Sequence, residues 1–376
     1  MKRVILSLFL AAALLVPAQA VELNVSSKSL LLMEKTTGQV LYAQNQHQAL
    51  EPASVTKIMT LLLVMEAIES GAVSYTDTVP VSAYAASMGG SQVYLEEGEQ
   101  LTVEEMLKAI CVASGNDASV AMAEFVAGSA ETFVQRMNQR ARELGMENTC
   151  FRNCTGLPAE GHVTTAYDVA LMSRELILNH PRIREYTTIW MDTLRNGSFT
   201  LANTNRLVRF YDGCTGLKTG STDAAGYCIS ATAERNGMEL IAVVLGGKSS
   251  DERFEDAKTL LNYGFSAYSL TRVQPTRALA PILVTLGQQE TVQPVPGEES
   301  ALLLEKGQEK ELEIGVELPE SIAAPVQQGQ VLGYMTVTRQ GEELARLELV
   351  AGQTVEKLRF GQIFRRLLSL ACMAGE

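Results

Sequence analysis

The stretch EPASVTKIMT, residues 51–60, places Ser54 three positions ahead of Lys57, at the mouth of a long apolar run. Positions i and i+3 share one face of a helix, so the lysine amine can reach the serine hydroxyl. A serine is a poor nucleophile until a base takes its proton. Lysine can be that base only if its pKa falls, and desolvation and a nearby cation both lower it. The apolar run supplies the first, and a second lysine would supply the other. Ser-x-x-Lys alone is weak, since a surface serine at a helix start has the same spacing. Here it occurs once, on a helix that is apolar nearly all round.

Two further groups keep it company. Ser114, Gly115 and Asn116 interrupt a pair of helical segments, and a loop there can point a hydroxyl and a carboxamide into a cleft. Lys218, Thr219 and Gly220 lie on an expected strand, where the glycine lets a substrate backbone approach closely. Each triplet alone is unremarkable. All three, in this order, form the Ser-x-x-Lys, Ser-x-Asn, Lys-Thr-Gly set of the penicillin-recognising serine enzymes.

The chain resembles the serine D-alanyl-D-alanine carboxypeptidases, the low-molecular-mass penicillin-binding proteins. The resemblance covers nearly its whole length and includes PASVTKIMT, ASGNDASVAMAE, NTCFRNCTGLPAEGHVTTAYDVA and DGCTGLKTGSTDAAGYC. It implies that Ser54 attacks the carbonyl between the last two D-alanines of a peptidoglycan stem peptide, with Lys57 as base. Ser114 would pass a proton to the leaving D-alanine, and Asn116 would bind the substrate amide. Lys218 would hold the Ser114 and Lys57 network, and Thr219 would bind the terminal carboxylate. Backbone N–H groups of Ser54 and Ser221 would form the oxyanion hole. Water would then cleave the acyl-enzyme, and β-lactams would acylate Ser54 covalently. Arg253 fits the position of a carboxylate-binding arginine, and it also reads as a surface arginine at a helix start. Asp168 matches a family aspartate near the site, and it also reads as a first-turn helix carboxylate. Ser221 stands where several relatives carry a bulkier residue, which bears on deacylation and side-chain preference. No metal or cofactor is implied.

Elements that could position these residues follow from pattern. Residues 29–45 alternate around a glycine-containing turn, as a β-hairpin does. Helices are expected from Ser54, over 102–113 with a Thr102-x-x-Glu105 capping box, over 129–145 and over 165–180. GLKTG, GYCISATAE and MELIAVVLGG read as consecutive strands, and 256–268 returns to helix. Helices in the middle with strands at both ends imply an α+β domain whose sheet is built from both termini. The resemblance implies that this is the penicillin-binding-protein and β-lactamase-like transpeptidase fold. Short strands then recur in a small all-β domain. The expected divisions are 1–20, 21–270, 271–353 and 354–373.

The two ends are distinctive. Lys2, Arg3, the apolar core VILSLFLAAALLV and the AQA site read as a secretory signal. The core is short for a membrane span. Removal of the first 20 residues, with Lys2 and Arg3, takes the net charge from −12 to −14, which argues against nucleic acid as a partner. At the other end, Phe360, Ile363, Phe364, Leu367, Leu368 and Ala371 recur at helical spacing beside Lys357, Arg359, Arg365 and Arg366. That is a basic amphipathic helix, suited to a membrane surface. Together these place the protein on the outer face of the cytoplasmic membrane.

Six cysteines leave the pairing open, with Cys214 and Cys228 either facing across a hairpin or free and buried. Three histidines without paired-ligand spacing give no zinc motif. A β-lactamase shares the three motifs but needs a carboxylate-activated water. The only pattern match, Glu175 to Asn179, falls inside an expected helix and should be solvated. A non-catalytic penicillin sensor on the same fold would need a signalling span, and none is visible after the signal.

Overall fold

The computed structural model describes residues 22–297 and 300–364. The expected signal lies outside the described residues. A hairpin of β1 (Ser29–Glu34) and β2 (Val40–Gln44) opens the chain. Two short ribbons follow, β3 (Thr78–Pro80) with β4 (Gln100–Thr102), and β5 (Met191–Leu194) with β6 (Phe199–Ala202). Then come β7 (Cys214–Thr222), β8 (Gly226–Arg235) and β9 (Met238–Gly247). The main sheet has the order β2-β1-β9-β8-β7, so the amino-terminal hairpin joins the late strands through β1 and β9.

This sheet is covered on both faces. Leu31, Met33, Ile241, Val243 and Leu245 pack into one core, and Leu30, Leu32, Leu240, Ala242 and Val244 into the other. Alternate residues therefore serve opposite cores, and β1 and β9 read as unbroken apolar runs. The larger core contains α1 (Lys57–Glu69), whose residues Ile58 to Met65 are all buried. Around it lie α2 (Ala83–Ala86), α3 (Val103–Cys111), α4 (Asn116–Ala127), α5 (Ala130–Glu143) and α6 (Ala166–Asn179). The Thr102–Glu105 capping box is formed in both directions. One-turn helices α7 (Arg184–Thr187) and α8 (Leu207–Phe210) lead to β7.

Helix α9 (Ser250–Ala267) covers the other face and begins six residues before the expected 256. Ser249 caps it by accepting from Glu252 N at 3.1 Å. The first turn is charged, so apolar periodicity does not reveal it. Ser54 also differs from expectation. It lies in a 3-10 turn, Ala53–Thr56, and Lys57 is the first residue of the α-helix proper.

The C-terminal all-β domain follows. A ribbon joins β10 (Tyr268–Val273) to β14 (Ser300–Glu305), so β10 runs across the division expected at 270. Strands β11 (Ile282–Thr285), β12 (Thr291–Val292) and β16 (Ser321–Ala323) form one small sheet, order β12-β11-β16. Strands β13 (Pro294–Pro296), β15 (Leu312–Glu317), β17 (Val331–Arg339) and β18 (Glu342–Ala351) form another, order β13-β18-β17-β15. Of the expected terminal helix, one turn over 360–364 is described, with Phe360 85% and Phe364 58% exposed. Its remainder lies outside the described residues. Among the described residues no helix is long and apolar enough to cross a membrane.

Candidate active site

The 3-10 turn holding Ser54 is gripped by two glycines. A Cβ at Gly156 would lie 1.8 Å from Ala53 O, and one at Gly220 would lie 2.6 Å from Ser54 N. Only backbones without side chains can close on the turn from both sides. Ala53 itself has φ 47°, a left-handed conformation costly for a non-glycine residue. Beneath the turn, His162 Nδ1 accepts from Arg152 N at 3.2 Å, so Nε2–H donates to Thr56 Oγ1 at 2.9 Å. Burial, aided by the Arg152 charge, pushes His162 down to about 4 and keeps it neutral.

Lys57 is fully buried. Its Nζ lies 3.0 Å from Ser54 Oγ, 2.6 Å from Asn116 Oδ1 and 2.7 Å from Thr155 O. Burial, and then the charge of Lys218, holds its pKa well below the ordinary lysine value. A neutral amine has two N–H bonds and one lone pair. The two carbonyl oxygens can only accept, so they take both N–H bonds. The lone pair is left for the third neighbour, the Ser54 hydroxyl. The arrangement can thus take a proton from serine.

Lys218 is buried too, and its amine donates to Thr219 O at 2.8 Å. Burial, with Arg253 adding, pushes it down to about 7. It acts on Lys57 through charge. Among the described residues it makes no hydrogen bond to Ser114 or Lys57, which differs from the expected bonded network. Ser114 has φ 62°, and its buried Oγ has no hydrogen-bond partner. Asn116 is committed at both ends, Oδ1 to Lys57 and Nδ2 to Gly89 O at 2.6 Å. A substrate carbonyl reaching Nδ2 would have to displace Gly89. Thr219 Oγ1 donates to Thr204 Oγ1 at 2.7 Å, and Ser221 is exposed at the end of the motif strand.

Arg253 is not a surface arginine. It lies one turn inside α9, 7% exposed, and donates to Gly220 O at 3.0 Å and Cys228 O at 3.3 Å. Burial pushes its pKa down to about 10. It supports the motif strand through backbone carbonyls. Asp168 is a first-turn carboxylate of α6, as one of its two readings had it; it is buried, and its Oδ2 accepts from Asn148 N at 3.0 Å and Thr149 Oγ1 at 2.7 Å. It fastens the start of the 148–165 loop that supplies Thr155.

Sequence reasoning missed the groups that hold this framework. Asp117 accepts from Val93 N at 3.0 Å, Leu95 N at 3.1 Å and Ala118 N at 2.9 Å. Arg195 binds the same segment, residues 93–95, from outside, donating to Val93 O and Tyr94 O and pairing with Glu99. The signal for Asp117 was its place next to Asn116. Thr155 carried none, because a backbone carbonyl does the work.

Two other expectations are settled by register and burial. Cys214 stands opposite Ala233 and Cys228 opposite Gly220, so they do not face each other. Cys111, Cys150, Cys154, Cys214 and Cys228 are free, and Cys372 lies outside the described residues. Glu175 does lie inside α6, but it is not solvated. It is partly buried and pairs with Arg140 at 2.5 Å. It is engaged with Arg140, which also binds Glu66 near the end of α1 away from Ser54, so the pattern match stays rejected as a water-activating glutamate, on different grounds from those expected.

Fold and site together define a serine acyl-transfer protein of the penicillin-recognising class. Residues 16–249 match the family model described as D-alanyl-D-alanine carboxypeptidase, and residues 278–357 match the penicillin-binding protein 5 C-terminal domain. D-alanyl-D-alanine carboxypeptidase DacF of Bacillus subtilis is 43% identical over 92% of this chain and 90% of its own. The penicillin binding protein 5 structure from Haemophilus influenzae superposes at TM-score 0.76, with 28% identity, over 90% of this chain and 99% of that one. Penicillin-binding protein D2 of Listeria monocytogenes, solved in an ampicillin-bound form, covers 65% of this chain and 99% of its own at TM-score 0.57 and 33% identity. The chain belongs to the D-alanyl-D-alanine carboxypeptidase family of serine enzymes.

Proposed function

We propose that Ser54 is the nucleophile that removes the terminal D-alanine from peptidoglycan stem peptides ending in D-Ala-D-Ala. The observation that carries this is the Lys57 amine, with two carbonyl acceptors and its remaining direction on Ser54 Oγ. Lys57 takes the hydroxyl proton as the Oγ–C bond forms. The C–N bond breaks, and Ser114 passes a proton to the leaving amine. The orphaned Ser114 hydroxyl supports that role, since a substrate group would satisfy it. Asn116 receives the substrate amide, and the N–H groups of Ser54 and Ser221 take the developing oxyanion. Lys218, Thr219 and Arg253 bias the end of the motif strand toward a free carboxylate. Gly220 gives the substrate backbone room. Asp168 supports the loop behind Lys57. Water then releases the shortened peptide.

A β-lactam would follow the first half of this path and stay on Ser54. The amino-terminal signal would carry the chain out of the cell, and the basic terminal helix would hold it at the membrane surface. Residues 21–270 form the catalytic domain in this reading and 271–353 the β-domain. The test is free D-alanine release from diacetyl-Lys-D-Ala-D-Ala by the full-length protein, beside Ser54→Ala. Release lost in the variant is the expected result. No release from a protein that still acylates with a fluorescent penicillin would sink the carboxypeptidase reading, leaving an intact site with another role.

A further inference from the structure

The helix that begins at Lys57 ends in a second cluster of titratable groups. Glu66 and Glu69 close α1, Glu175 lies near the end of α6, and His180 caps that helix. Helix α5 adds Arg140 and Glu143. Arg140 Nε meets Glu66 Oε1 at 2.7 Å, Nη2 meets Glu175 Oε1 at 2.5 Å, and Nη1 lies 3.6 Å from Glu143. Asn179 Nδ2 donates to Glu175 Oε2 at 2.9 Å. Three carboxylates thus surround one guanidinium, and Glu69 adds a fourth beside His180, leaving an excess of negative charge.

His180 supplies an independent sign of a missing partner. The residue is 6% exposed, and its buried Nδ1 makes no hydrogen bond. Glu69 Oε2 lies 2.9 Å from that nitrogen, without the alignment of a hydrogen bond. Ligand atoms of Glu66, Glu175 and His180 all lie within 4.8 Å of one another.

We propose that this three-helix junction binds a zinc-type divalent ion through His180 and the carboxylates of Glu66, Glu69 and Glu175. Imidazole among carboxylates suits zinc, whereas calcium and magnesium take oxygen sets. A tetrahedral ion with bonds of about 2.0–2.1 Å sets its ligand atoms roughly 3.3 Å apart. Small side-chain rotations bring the cluster to that spacing. Arg140 holds one oxygen of Glu66 and one of Glu175 and orients both groups; the second Glu66 oxygen is left for the ion, and Glu175 Oε2, which accepts from Asn179, keeps a lone pair for it. No sequence motif announces the site, because its ligands come in pairs from two helices. Its role is to fasten the far end of α1 to α6, apart from the chemistry at Ser54.

The test is titration of the full-length, chelator-stripped protein with Co²⁺ as the spectroscopic probe and with Zn²⁺ for stability. The expected result is one Co²⁺ per chain, with the visible bands of a four- or five-coordinate site, and a Tm raised by Zn²⁺. His180→Asn and Glu175→Gln should each weaken binding by about tenfold or more. Both should still acylate with a fluorescent penicillin, which reports that the fold survives. Wild type without Co²⁺ bands and without a Zn²⁺-dependent Tm shift would overturn the proposal. So would bands that persist in both variants, since the ion would then sit elsewhere. A Tm raised by Ca²⁺ but not by Zn²⁺ would also count against it.

Discussion

Two carbonyl oxygens decide what Lys57 can do. Asn116 Oδ1 and Thr155 O consume its donors, and burial removes the water that would otherwise keep it charged. Lys57→Arg keeps a cation of similar length that cannot give up a proton. Acylation by a fluorescent penicillin should fall by about 10²–10⁴-fold, the usual loss with a general base. A variant with near-normal rates would mean that another group takes the Ser54 proton. The two lysines also set the pH behaviour. Protonation of Lys57 removes the base on the acid side, and loss of the Lys218 proton near pH 7 removes the cation on the alkaline side. The acylation profile should therefore be bell-shaped, with its falling limb near neutrality. Stability runs the other way. Folded Lys218, at about 7, holds its proton less well than the unfolded chain at 10.5. The unfolded state binds more protons between those values, so the Lys218 contribution to stability rises with pH across that window. Parallel acylation and Tm scans separate the two, and a Tm falling in step with acylation above pH 7 would point to unfolding instead. Ser54, Lys57, Ser114, Asn116 and Lys218 were legible because their chemistry is in their side chains. Thr155 was not, since any residue offers a carbonyl.

Elements carry this geometry, and one of them has no regular structure. The strap Gly89–Leu95 presents Gly89 O to Asn116 Nδ2 and Ser91 O to Asn116 N at 2.7 Å. Asp117, in the first turn of α4, fixes its other end through Val93 N and Leu95 N. Asp117→Ala leaves two buried N–H groups without acceptors, at about 1–3 kcal/mol each. Amide exchange at Val93 and Leu95 should speed up, and acylation should slow because Asn116 loses its support. Unchanged exchange at both amides would show that Arg195 alone holds the strap. The strap has no hydrophobic period and could not be read from the sequence. Strands β1 and β9 could, because burial on both faces makes them continuously apolar. The start of α9 could not, because its charged first turn hides behind the Ser249 cap. Arg253 was misjudged as a possible surface residue for that same reason.

At the scale of the whole molecule, the β10–β14 ribbon serves two domains at once. Leu270 and Leu303 pack against the core beneath α9, while Val273 and Leu302 belong with Met335, Val337 and Leu349 in the β-domain. Alternate residues of a strand point to opposite faces, so one ribbon can close both cores. Among the described residues the Ser54 site draws nothing from beyond this ribbon, since each of its contacts comes from residues before 268. The Listeria structure points the same way, matching 65% of this chain with 99% of its own length. A chain ending at Ala267 should therefore acylate with fluorescent penicillin at the rate of the full-length protein. Its Tm should be lower, because Phe265 and the apolar face of α9 lose the cover of Leu270 and Leu303. The binding to anionic lipid vesicles proposed for the basic terminal segment should be lost with it, because the remaining acidic chain is repelled by such a surface. Slower acylation by a folded truncated chain would mean that the β-domain shapes the site through the ribbon, and the two domains would then have to be treated as one functional unit.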